Sequence, residues 1–396
     1  MTAVDSSVRE RESERREIPE KRVTWAEAYF DLVFVFAITQ VSNLLYDHHG
    51  GGGLLRALVV FIPVYWCWVG TTVQANVRDV DSARDRVGIF AVGLCGLLMA
   101  LALPQAYGTR GVLFGAAYWG ARLVLLGLIL RLRGGVWRGP FGIGAAISGP
   151  LLLTGGLLHG DARLGLWAAG ALIDLAGPTL LRSRLARVTY HPGHLPERFG
   201  LLMLVALGES IVSTGAPAAA ATDLTSGELL AVVAAFTISC GLWWSYFAHA
   251  NEAMRHAVTV APARRDLVRR VFSYAHLVLV AAVITIAVGF HMTVAHPGER
   301  LDLGTLTLLH GGCALYLLTF GYTRWVMFRV LAHTRLVAAA VVLLLVPAMA
   351  VLRLPALAVL STLAVLLVLL TAVEEARIRR ARAAVAAAPA PRPAAE

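Results

Sequence analysis

The chain has 396 residues, of which 58% are hydrophobic and only 15% charged, with a mean hydropathy of +0.68. A soluble domain carries about 25% charged residues, so this balance excludes an ordinary soluble globular protein and points to a polytopic membrane protein. The net charge of +10 does not mark a nucleic-acid partner, because the basic residues fall in short gaps between apolar runs.

Residues 1–26, with RERESERREIPEKR near their middle, are too charged for the apolar region of a signal peptide. They read as a cytoplasmic arm, with a membrane-surface amphipathic helix as the alternative. Runs long enough to span follow near 27–46, 54–76, 87–107, 111–131, 141–159, 164–181, 199–219, 227–248, 271–291, 305–325, 336–352 and 354–373, given about 17–25 residues per crossing. Pro63, Pro104, Pro178 and Pro347 inside them are tolerable, because neighbouring helices can satisfy freed backbone groups.

The gaps set the orientation. Arg78, Arg84 and Arg86 follow the second run, Arg131, Arg133 and Arg138 the fourth, and Arg182, Arg184, Arg187 and Arg198 the sixth. Arg255, Arg264, Arg265, Arg269 and Arg270 follow the eighth, Arg324, Arg329 and Arg335 the tenth, and Arg377, Arg379, Arg380 and Arg382 the last. Gaps on the other side hold almost no arginine, which predicts both termini in the cytoplasm. The final AVAAAPAPRPAAE reads as a disordered tail. Cys67, Cys95, Cys240 and Cys313 are scattered singly through apolar runs and read as packing residues.

The two halves resemble each other. Glu27 aligns with Glu197, Trp68 precedes Asn76 as Trp243 precedes Asn251, and Arg84-Asp85 matches Arg265-Asp266. The expected fold is an all-α polytopic membrane helix bundle of about twelve transmembrane helices, in two six-helix parallel repeats. Its parts are a charged arm 1–26, halves 27–187 and 188–373, and a basic, then Ala/Pro-rich, cytoplasmic tail 374–396.

YFDLVFVFAITQ (Tyr29–Gln40) and HLPERFGLLMLVALGESIV (His194–Val212), with WWSYF in the eighth run and Tyr274–His276 in the ninth, resemble the paired signatures of the bacterial low-temperature-requirement A (LtrA) family. The resemblance implies a multi-pass membrane protein whose family name refers to growth in the cold, and it supplies no activity or substrate. One departure is His249, where an acidic residue is expected soon after the Tyr246-Phe247 pair.

Ionisable groups inside a span are costly and mark functional or paired positions. Asp31, Arg122, Asp174, Glu209 and His276 are such groups. Glu209 lies roughly 18 Å along its helix from Glu197, at the depth of Arg122 and Asp174. Arg122 therefore has two candidate partners: if it pairs with Asp174, Glu209 is free to act. Ser210, Ser213 and Thr214 beside Glu209, with Thr39 and Gln40 on the first helix, supply hydroxyls and an amide for a polar site. A carboxylate in such a site can cycle a proton near neutral pH.

Asp31 and Glu197 lie near the starts of their helices, where dipole compensation competes with a functional role. Arg198 beside Glu197 and His276, a structural histidine or a proton relay, complete the candidate set. No HExxH, GxSxG, CxxC or P-loop pattern occurs, and no metal or cofactor site is expected. The leading expectation is a secondary transporter or permease with a mid-depth carboxylate, acting on an unknown small molecule or ion, with membrane lipids as its surroundings. The alternatives are a membrane enzyme acting on lipid-linked or apolar substrates, and a scaffold or sensor linked to cold adaptation.

Overall fold

Backbone N–H and C=O groups in hydrocarbon must satisfy one another, and apolar runs achieve this as helices. The computed structural model describes residues 21–77, 82–130, 139–183, 190–260 and 264–386. Among them, helices cover every predicted run and no strand occurs. The first six helices are α1 (Trp25–Asp47), α2 (Gly51–Val77), α3 (Ala83–Ala102), α4 (Gly111–Ile129), α5 (Pro140–Leu157) and α6 (Gly160–Leu180). The others are α7 (His194–Ala220), α8 (Ser226–Val260), α9 (Arg265–Ala295), α10 (Leu303–Phe328), α11 (His333–Leu352) and α12 (Ala356–Ala386). The N-terminal arm up to residue 20, Arg78, Arg131, Arg133, Arg138, Arg184, Arg187, the side chain of His249 and the tail beyond residue 386 lie outside the described residues.

Among the described residues, eleven of these helices are long and apolar enough to cross a membrane, in keeping with the expected count of about twelve. The exception is α6, whose apolar run is diluted by Asp161, Arg163 and Asp174. It keeps two of those charges buried. Arg163 donates to the carbonyls of Ala106, Gly108, Gly156 and Leu158 at 2.7–3.2 Å, which ties together the turns on either side.

The helix starts carry their own signals. At α1, the Thr24 hydroxyl and backbone N–H both donate to Glu27, and the Glu27 N–H donates back to Thr24 Oγ1. Thr225 and Glu228 form the same reciprocal box before α8, as the Thr-x-x-Glu spacing allows. Three helices contain π-helical turns, at Gly144–Ser148 in α5, Trp244–Ala250 in α8 and Val268–Ala275 in α9.

Asp302 caps α10, accepting from the Gly304 N–H at 2.8 Å, the Thr305 N–H at 3.3 Å and the Thr305 hydroxyl at 2.5 Å. Partial burial pushes its carboxyl up, but the bonds from Thr305 and Gly304, with His49 nearby, hold it below the ordinary value. Asp302→Ala is expected to lower stability by about 1 kcal/mol at neutral pH. A depressed carboxyl stabilises the fold fully above its unfolded pKa, about 3.9, and loses that contribution as pH falls through the folded value. Thermal melts of wild type and variant should therefore differ at pH 7 and converge in acid. A gap that persists unchanged at low pH would contradict this role.

The chain forms two compact units, each drawing on both halves of the sequence. One comprises Met1–Ala37, Ile62–Leu202 and Met254–Phe272; the other comprises Ile38–Phe61, Met203–Ala253 and Ser273–Glu396. In the first unit α4 packs against α3 and α5, and α5 against α6. A Cβ on Gly115 would stand 2.3 Å from the Leu152 carbonyl oxygen, so α4 and α5 meet at backbone distance, a use of small residues common between membrane helices. In the second unit α9 packs on α10, α10 on α11, and α8 on α12.

Candidate functional site

Within the first unit, the start of α7 brings a buried arginine against two acids of α1. Arg198 is 0% exposed, although its neighbour Glu197 is exposed and accepts the Val23 N–H at 3.3 Å. Arg198 Nη1 and Nη2 donate to the two oxygens of Asp31 at 2.7 and 2.9 Å. This is the two-pronged geometry a guanidinium offers a carboxylate. The same group donates to the Glu27 carbonyl at 3.0 Å and lies over the Trp68 ring, whose Nε1–H donates to Asp31 at 2.7 Å. Asp31 is thus an ion-pair partner rather than a helix-dipole group. Arg198, expected in a loop, belongs to the interior because α7 begins at His194, five residues before the apolar run.

Glu27 completes the network. His194 Nε2 lies 3.0 Å from Glu27 Oε1, and His194 Nδ1 lies 3.3 Å from Asn76 Nδ2. Asn76 Oδ1 accepts the His191 N–H and its Nδ2 donates to the His191 carbonyl, both at 3.0 Å. Asn76 therefore presents its amino group to His194, and Nδ1 is the acceptor. This hydrogen-bond pattern places an N–H of His194 at Nε2, donated to Glu27. Two carboxyl groups thus face one guanidinium.

Arg122 of α4 and Asp174 of α6 form a second buried pair in the same unit, at 3.2 Å. Tyr118, one helical turn from Arg122, donates its hydroxyl to the other oxygen of Asp174. The π-helical turn of α5 closes over the guanidinium. A Cβ on Gly144 would stand 1.9 Å from Arg122 Nη2, so only glycine leaves room there. Of the two partners that depth allowed for Arg122, the structure selects Asp174.

Within the second unit, Glu209 is 3% exposed. Thr39 Oγ1 donates to one of its oxygens at 2.5 Å and Ser213 Oγ to the other at 2.8 Å. Ser213 is one turn further along α7, whereas Thr39 comes from α1. Among the described residues, no lysine, arginine or histidine forms an ion pair with Glu209. Ser210 lies 2.9 Å from Ser239 of α8, and Thr214 turns back to the Ser210 carbonyl at 2.7 Å. Gln40 is half-buried. His276 pairs with the Tyr246 hydroxyl at 2.8 Å, both side chains being fully buried, where π-helical segments of α8 and α9 lie.

Glu27, Trp68, Asn76, Tyr118, His194 and Tyr246 join these clusters without having been singled out as site residues. Glu27 and the Trp68–Asn76 spacing were marked by matches in the second half, and His194 and Tyr246 lie in the quoted family motifs.

The two signature stretches thus supply both polar centres: Tyr29–Gln40 gives Asp31 and Thr39, and His194–Val212 gives His194, Arg198 and Glu209. No solved structure matches the chain. It is 28% identical over 326 residues to uncharacterized protein RA0937 of Rhizobium meliloti (strain 1021), an overlap of 79% of this chain and 80% of that protein. Residues 22–372, which contain both signatures and the helices that carry them, match the family described as bacterial low temperature requirement A protein (LtrA), and the chain belongs to that family.

Proposed function

We propose that this protein is a secondary transporter or permease for a small molecule or ion, with Glu209 as its proton-bearing group. The observation that carries this reading is the environment of Glu209, a buried carboxylate held by two hydroxyls with no basic partner among the described residues. A carboxylate so placed requires compensation by a proton or a cationic ligand. Arg122 and Asp174 offer the contrast of a charge pair satisfied in place.

Thr39 and Glu209 are 170 residues apart, the offset that aligns Glu27 with Glu197. That supports two parallel six-helix repeats, 27–187 and 188–373, whose equivalent first helices meet at the site, as in many transporters. Membership of a bacterial family supports an inner-membrane location, and the arginine-rich gaps support cytoplasmic termini.

The test is proton flux into proteoliposomes loaded with a pH-sensitive dye and challenged with pools of amino acids, sugars and inorganic ions. Wild type should move protons with at least one pool. Glu209→Gln should lose that flux while eluting as a folded species from gel filtration. Wild-type flux in Glu209→Gln would remove the carboxylate from the mechanism, and silence of wild type with every pool would count against transport.

A further inference from the structure

In the second unit, the ends of α8, α10, α11 and α12 enclose a cavity of about 670 Å³ lined by Arg324, His333, Arg335, Glu374 and Arg377. Its charges are unevenly matched. Glu374 is committed to Arg335, which grips both its oxygens at 2.8 and 2.9 Å and lies over the Phe320 ring. Arg377 donates to a neutral hydroxyl, that of Thr334, at 2.7 Å. Arg324 is exposed and has no carboxylate partner among the described residues. Three guanidiniums and one carboxylate leave a surplus of two positive charges.

The backbone adds to the same sign. Arg329, in the left-handed conformation at φ 56°, ends α10, and the short turn after it delivers the N-terminus of α11 to the cavity. The first N–H groups of a helix have no intrahelical acceptor and, with the helix dipole, favour an anion. Apolar side chains complete the wall: Phe328 and Leu331 are exposed beside the arginines. The cavity lies where one candidate span ends and the next begins, and span ends are where headgroups meet membrane helices.

We propose that this cavity binds a phosphate group, held by Arg324, Arg377 and the N-terminus of α11, and that the group belongs to the headgroup of an acidic phospholipid. The exposed Phe328 and Leu331 side chains favour the lipid over a free phosphate, because a soluble anion gains nothing from apolar walls. Basic pockets between membrane helices recognise such headgroups by charge and N–H donors together.

The experiment uses the full chain in nanodiscs of equal parts phosphatidylglycerol and phosphatidylcholine, with retained lipid counted by native mass spectrometry after ejection. Wild type and the charge-matched control Arg84→Gln/Arg86→Gln should retain phosphatidylglycerol in preference. Arg324→Gln/Arg377→Gln should lose that preference. A second arm measures thermal stability in phosphatidylcholine alone, with inorganic phosphate against chloride at equal ionic strength. A phosphate response in wild type that is absent from Arg324→Gln/Arg377→Gln, without lipid selectivity, assigns the site to soluble phosphate instead of lipid. Equal lipid retention and equal phosphate response in wild type and Arg324→Gln/Arg377→Gln overturn the proposal.

Discussion

Arg198→Met is expected to destabilise the protein by about 3–5 kcal/mol, the usual cost of breaking a buried ion pair from one side. Methionine fills much of the arginine's volume, so the loss reads the charge more than the packing. Without the guanidinium, the Asp31 and Glu27 carboxylates stay inside a fully buried network with no cation to offset them. Arg198→Lys should fall between wild type and Arg198→Met, because an ammonium keeps the charge but cannot engage both oxygens of Asp31 and the Glu27 carbonyl together. Asp31→Asn/Arg198→Met should be more stable than Arg198→Met alone, because it also removes one of the abandoned charges. Thermal unfolding of the four proteins in one detergent gives the comparison. If Arg198→Met melts within about 1 kcal/mol of wild type, the network does not hold α1 against α7 in the way described.

Arg122→Met is expected to cost a similar 3–5 kcal/mol, since Asp174 would keep only the Tyr118 hydroxyl among the partners described. Here a glycine supplies an independent check. Gly144→Ala places a methyl group where Arg122 Nη2 now lies, 1.9 Å away, and forcing the guanidinium aside should cost about 1–3 kcal/mol. In the Arg122→Met background the same alanine meets a flexible, uncharged chain, and most of its penalty should disappear. Additive costs for the two changes would show that Gly144 is needed for some reason other than the arginine.

The membrane class and the helices were legible in the sequence because they depend on hydropathy and on the length of the apolar runs. Depth also narrowed Arg122 to two acids, but which of them it takes depends on how helices rotate about their axes, and a pattern of apolar residues does not encode that rotation. The buried role of Arg198 was illegible for a different reason. An arginine just before an apolar run looks like an arginine in a loop, and only the early start of α7 at His194 turns it inward. Aligning Glu27 with Glu197 sets Thr39 opposite Glu209, while Glu27 is fully buried and Glu197 exposed. Similar residues at matched positions can therefore have different surroundings. The count of eleven apolar helices rather than twelve has the same origin as the site chemistry: α6 is too polar by composition because it carries Asp174 and Arg163 into the interior.

The pairing of Asp31 with Arg198 also sets a schedule for making the protein. The two residues are 167 positions apart, and a ribosome adding about 5–20 residues per second needs roughly 10–30 s to cover that distance. Through that interval α1 has its aspartate and no arginine to answer it, while five more helices are synthesised. Chains stopped anywhere before α7 therefore carry Asp31 without the guanidinium that answers it in the finished protein.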